Sequence, residues 1–222
     1  MKKIFLISIV SMCLIASCTC TVEKTYPAIV EITGIENSKP DLLAKIGRSQ
    51  DLQVSVYQRE SHWVIYGTFP DLPKIEKQII TAYPEASVKI YDKPFYVFDR
   101  QNCKDKTQAE RWRHTIMTAN LVADETMQQA YMEYHRTQAE KWPEVATGFC
   151  NAGFQQLLVF RNGRQLMLVI SIPEGENLDE LNPKTTENNP RVDEWNVIMA
   201  KYQEGIEGTM PGETWVTFLG IN

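Results

Sequence analysis

A chain of 222 residues, 43% of them hydrophobic, is long enough for one large or two small domains. Its 23 basic and 28 acidic residues are interspersed and give a net charge of −5, without the basic stripe that would follow a phosphate backbone, so nucleic-acid binding is excluded. The five cysteines form no Cys-x-x-Cys unit and no zinc-ligand spacing, so no metal site is expected.

Lys2 and Lys3 precede an apolar run over 4–15, and Ile15-Ala16-Ser17-Cys18 follows. The run is shorter than the ~20 residues of a membrane-spanning helix. Small residues before a cysteine resemble a bacterial lipobox. Residues 1–17 are therefore expected to be a lipoprotein signal peptide, Cys18 the lipidated residue and 18–25 a tether. That reading places the body in the cell envelope, anchored outside the cytoplasmic membrane.

The region 26–99 reads as a first domain. Strands are expected at 28–33, 52–57, 63–69, 88–91 and 95–98, with helices at 40–46 and 72–83. Trp63, Tyr66 and Phe69 read as core of this domain, or alternatively as lining of the barrel opposite the second domain, and His62 as solvated at a hairpin turn. Residues 100–112 are polar and charged, a linker. The same order begins again over 113–222: a strand at 114–121, then a long helix over 124–141 with Asp124 as N-cap and a kink or a new helix start expected at Pro143. Two strands flank Asn162-Gly163, a strong hairpin signal. A helix at 192–202 and a strand at 214–219 complete the set. Between the hairpin and that helix, 173–190 is a long acidic, Asn-rich loop, of the kind that is usually functional or mobile.

This order predicts an α+β protein of two ferredoxin-like β-α-β-β-α-β units. Each sheet covers one face with its own helices and needs a partner for the other, which gives a dimeric-type α-β barrel. The partner is either the other half of the same chain, an intrachain pseudo-dimer, or a second chain in a homodimer. Cys103 and Cys150 can pair in an oxidising compartment, but nothing in the sequence fixes that pairing.

On the long helix Met127, Ala130, Tyr131, Tyr134, His135 and Gln138 form one stripe at i, i+3, i+4, i+7, i+8 and i+11. His135 is the only histidine of the three with a phenol one turn behind it. One imidazole and one phenol on a shared face can move protons on a small ligand without metal or cofactor.

The segment Tyr131-x-x-x-His135 followed by Trp142-Pro143-Glu144-Val145 resembles the helix of the L-rhamnose mutarotase family. The hairpin at Asn162-Gly163 is similar to that family's middle strands. Asn189-Pro190-Arg191-Val192-x-Glu194-Trp195-x-x-x-Met199 resembles its late helix, and Pro211-Gly212-Glu213-x-Trp215-Val216 the approach to its last strand. The resemblance runs from about Arg113 to Phe218. It implies a ferredoxin-like unit that pairs sheet to sheet and interconverts the α and β anomers of a 6-deoxyhexose such as L-rhamnose or L-fucose, with no cofactor. By the same resemblance His135 and Tyr131 are the catalytic pair. Trp195 is a sugar-packing platform, with Trp142 at the helix end and Tyr134 also among the substrate-binding residues.

In the family the Trp-Pro-Glu segment begins four residues after the histidine, whereas here Trp142 is seven after His135. At ~100° per residue, seven steps return within about 20° of the starting direction, so Trp142 keeps the same face. The ungapped register would instead place Tyr134 and Gln138 at the family's tyrosine and histidine positions. Gln138 cannot act as general acid or base, and such a site would bind without catalysing. The expectations are therefore a sugar mutarotase, with a non-catalytic carbohydrate- or partner-binding lipoprotein as the alternative. A cofactor-free monooxygenase is a third class, which no residue here demands.

Overall fold

The computed structural model describes residues 25–35, 41–47 and 53–221. The signal segment, Cys18 and nearly all of the tether lie outside the described residues.

Strand β1 (Ala28–Thr33) shows how the layers arise. Successive side chains of a strand point to opposite faces, and here both faces are buried. Val30 and Ile32 join one apolar cluster, Ile29 another. After β1 come α1 (Asp41–Gly47), β2 (Gln53–Arg59), β3 (His62–Thr68), α2 (Leu72–Ala82), β4 (Ser87–Tyr91) and β5 (Tyr96–Asp99). The later part has β6 (Trp112–Leu121), α3 (Glu125–Arg136), α4 (Gln138–Lys141), α5 (Pro143–Asn151), β7 (Gln156–Asn162) and β8 (Gln165–Pro173). It ends with α6 (Leu178–Leu181), α7 (Pro190–Ala200), β9 (Gln203–Glu204) and β10 (Val216–Ile221).

The strands form one antiparallel sheet in the order β4-β1-β3-β2-β10-β6-β8-β7-β5, with β9 beside β6. Two sheets facing each other were expected, and how their edges would meet was not. Here β10 pairs with β6 on one side and β2 on the other, with Leu219 opposite Gln58 and Ile221 opposite Val56. The sheet curls so that its two ends face each other. The inner cluster draws Ile29, Val64 and Tyr66 from one end and Leu158, Phe160, Met167 and Val169 from the other. Outer clusters lie beneath α1 and α2, and beneath the helices of the later part.

Trp63 and Tyr66 fall in different clusters, because a three-residue step along a strand changes face. The long helix expected over 124–141 is broken. Thr137 caps α3, and its hydroxyl and backbone N–H both donate to the Glu133 carbonyl. Pro143 then starts α5, where its missing N–H costs nothing. The loop at 173–190 is partly ordered by α6 and a 3-10 turn, Asn182–Thr185. Gly148 lets α5 approach that turn, since a Cβ there would lie 2.4 Å from the Thr185 carbonyl oxygen. Cys103 and Cys150 form a disulfide.

The inner face also holds a charge. Glu31 is 1% exposed. Its carboxylate accepts from Tyr91 Oη at 2.7 Å and Gln165 Nε2 at 2.5 Å, and contacts His62 Nε2 at 2.5 Å. Lys89 Nζ lies 4.0 Å from the carboxylate and donates to Gln165 Oε1 at 2.5 Å. His62, expected in solvent, is held here because a buried carboxylate requires donors. Burial alone would raise the Glu31 carboxyl. The His62 bond and charge, the Tyr91 bond and the Lys89 ammonium outweigh it and hold it below the usual value. Its stabilising effect is therefore present above the free carboxyl's range and lost as acid reaches the depressed value. Replacing Glu31→Ala strands four partners, and is expected to cost about 3–5 kcal/mol at pH 7. Urea unfolding monitored by circular dichroism measures this, and an unchanged midpoint would refute it.

Candidate active site

Helix α3 begins where Asp124 Oδ1 accepts the backbone N–H of Met127 at 2.9 Å. That start turns Tyr131 and His135 toward the sheet on one face. Tyr131 is 1% exposed and His135 half-buried. Their ring centroids are 4.3 Å apart.

The imidazole has a defined proton. His135 Nδ1 is 3.0 Å from the Tyr131 carbonyl oxygen, which can only accept, so Nδ1 carries the hydrogen. Nε2 is left as a lone pair and makes no hydrogen bond to a described residue. Burial pushes the imidazole down to about 4, although the bond to the Tyr131 carbonyl works the other way. At neutral pH the ring is an uncharged base.

Four aromatic rings surround it: Tyr131, Tyr96 at 5.2 Å, Trp195 at 5.3 Å and Phe95 at 5.6 Å. Trp195 comes from α7, whose buried stripe is Val192, Trp195 and Met199. Its ring is packed edge-on against Tyr134 and Trp142 as well as His135. Trp142 is buried behind it, with the Arg191 guanidinium carbon 3.8 Å above its ring. Tyr134 is half-buried and lies 5.8 Å from Tyr202. The structure thus brings together every site residue expected within the body of the chain.

It adds others. Trp215 Nε1 donates to Gln203 Oε1, and Gln203 Nε2 donates to the Tyr131 hydroxyl, both at 3.1 Å. Burial raises the Tyr131 phenol, with the Gln203 bond opposing, so the phenol stays protonated. Gln138 is 3% exposed and accepts from the Tyr96 hydroxyl at 2.9 Å. Trp215 stood in a recognisable motif. Gln203, on a two-residue strand, and the aromatic pair at 95–96 carried no local signal. The loop expected to be functional or mobile borders a separate open depression of about 500 Å³, lined by Glu144, Thr147, Asn151, Lys184 and Glu187 among others. It holds no imidazole and no aromatic ring of the site.

The sequence profile for L-rhamnose mutarotase matches residues 114–220. An L-fucose mutarotase of Xanthomonas campestris pv. campestris is 31% identical over 97 residues, covering 43% of this chain and 75% of the relative. The chain belongs to the L-rhamnose mutarotase family. A UPF0734 protein of Dictyostelium discoideum is 28% identical over 104 residues, covering 43% of this chain and 77% of the relative. Among solved structures, a ferredoxin-fold protein of Listeria monocytogenes related to antibiotic biosynthesis monooxygenases gives a TM-score of 0.45 at 11% identity, covering 90% of this chain and 96% of that one. A heme-degrading enzyme of the same species gives 0.43 at 11%, covering 87% and 99%. The region matched by the L-rhamnose mutarotase profile takes in β6 to β10, and with them Tyr131, His135 and Trp195. Phe95 and Tyr96 fall outside it.

The depressed imidazole has a consequence for stability. A base held neutral by the fold stabilises above its free value and loses that contribution as acid reaches the folded value. Between pH 6.5 and 4 this amounts to about 3 kcal/mol for His135. Urea unfolding of the native chain and of His135→Gln across that window is expected to show a steeper acid loss in the native chain. Parallel curves would refute the assignment.

Proposed function

We propose that this protein is a sugar mutarotase that interconverts the α and β anomers of a 6-deoxyhexose of the L-rhamnose or L-fucose type. The observation that carries the reading is the His135 imidazole, held in one tautomer with a bare Nε2 inside an aromatic enclosure. Mutarotation moves one proton from the anomeric hydroxyl to the ring oxygen while the bond from C1 to that oxygen breaks. Both oxygens are attached to C1, so one nitrogen can serve both. Nε2 takes the hydroxyl proton, the electron pair of the C1–ring oxygen bond passes to the ring oxygen, and the imidazolium returns the proton there. An imidazolium in so dry a site is a strong acid and gives its proton up readily. Rotation about C1–C2 and the reverse sequence close the other anomer. Tyr131 keeps its proton and orients the imidazole through its ring and carbonyl. The half-buried Tyr134 offers apolar ring surface to the C–H face and methyl group of a deoxy sugar, and Trp195, 5% exposed, backs it from behind.

We also propose that Cys18 carries the lipid that holds this activity in the cell envelope. Labelled palmitate entering the native chain but not Cys18→Ser supports this, and equal labelling of both removes it.

A second reading, sugar binding without catalysis, is favoured by Gln138. It stands four residues before Trp142, the spacing at which the family carries its histidine, and it shares Tyr96 with His135.

Anomer exchange measured by saturation-transfer NMR decides between them. The native chain is expected to accelerate exchange of L-fucose or L-rhamnose, and His135→Ala to lower it by at least about a hundredfold while remaining folded. Because the imidazole titrates near 4, the catalysed rate should be level from pH 5 to 8 and fall below that range. Binding of either sugar with no acceleration would establish the second reading.

A further inference from the structure

We propose that Phe95, just before β5, and Tyr96, its first residue, both outside the family-matched region, are working parts of the sugar site. Phe95 is a specificity wall, and Tyr96 is a positioning residue that fixes Gln138 as a hydrogen-bond donor to the substrate's ring oxygen. The inference rests on the mutarotase reading and deepens it.

Three observations lead there. The first is enclosure. Two of the four rings around His135 are Phe95 and Tyr96, both edge-on to the imidazole, and Phe95 also meets Tyr131 at 6.2 Å. In the proposed complex these two rings border the sugar held at Nε2.

The second is anchoring. Although the chain reaches this pair directly from β4, it is fastened to the later part. Tyr96 pairs with Val159 in the β5–β7 ladder, and the Phe95 N–H donates to the Val159 carbonyl at 2.9 Å. Just beyond β5, Arg100 N–H donates to the Gln155 carbonyl at 3.0 Å, and Cys103 is bonded to Cys150 on α5. Backbone pairing and a covalent bond thus hold the pair on the matched region from both sides.

The third is polarity. The Tyr96 hydroxyl donates to Gln138 Oε1. An amide has an accepting end and a donating end, and Tyr96 occupies the first. What Gln138 has left for a ligand is its NH2 group. Burial also keeps the Tyr96 phenol protonated, so this direction holds at every pH the site works in. A base at Nε2 and a donor at Gln138 are the complementary groups ring opening needs. The donor strengthens its hold as charge develops on the ring oxygen. Gln138 thereby stabilises the charge on the ring oxygen until the His135 imidazolium returns the proton there.

The test is a double-mutant cycle in the full chain, with kcat and KM taken from anomer exchange at several L-fucose concentrations. Tyr96→Phe is expected to lower kcat about tenfold with KM little changed, as expected for one hydrogen bond that acts in the transition state. Gln138→Leu should lower it similarly. The pair together should do no more than Gln138→Leu alone, because one variant has already removed what the other supports. Phe95→Ala should raise KM with kcat held. Urea midpoints of the variants separate these effects from loss of fold. A native chain that is active while Tyr96→Phe matches it, or while the two losses multiply, overturns this inference and leaves the mutarotase reading standing. A native chain that accelerates nothing removes the mutarotase reading. The wall is then read from L-fucose binding by calorimetry, where equal affinity in the native chain and Phe95→Ala, or no binding in either, overturns it.

Discussion

A single buried carboxylate governs how the two ends of this sheet sit against each other. Glu31 lies on β1; His62 and Tyr91 reach it from the flanking strands β3 and β4, and Gln165 from β8, five places away across the sheet. Apolar side chains on the inner face supply most of the cohesion, but hydrophobic contact is non-directional and would tolerate small slides. A charge that must be met by His62, Tyr91 and Gln165 at once tolerates few. The curl of the sheet, and with it the placement of everything built on β7 and β8, is tied to that one position. Inside a protein a network of this kind is strong when complete and costly when broken.

The placement of His135 and Gln138 depends in turn on helix ends. The break at Thr137 and the restart at Pro143 turn what would have been one long helix into three short ones. That places His135 at the end of one and Gln138 at the start of the next, so both reach Tyr96. An unbroken helix would put them about 300° apart around its axis, or 60° by the shorter way, on a single rigid rod. The short helices let the two side chains be aimed separately.

Much of this was legible in the residues. The Asp124 cap, the Asn162-Gly163 hairpin and the strands of both halves all rest on local chemistry, and local chemistry is what a sequence displays. The stripe of Tyr131 and His135 was legible for the same reason. The misread residues depend on distant ones. His62 looked solvated because the carboxylate that holds it is 31 positions away. The disulfide was permitted by compartment alone. Gln203 and the 95–96 pair had no pattern to announce them, since their importance comes from where β9 and β5 are placed in the sheet. The two possible registers of the long helix could not be separated from spacing alone, and the structure brings the residues of both to one aromatic nest.

The pairing of β10 with β2 carries a consequence for how such a chain changes over generations. When two copies of one polypeptide assemble, any substitution is imposed on both, and a change that suits one surface must be tolerated on the other. Here the seam joins stretches of a single chain, so each half is free to drift by itself. A substitution on one side of that seam leaves the other side as it was.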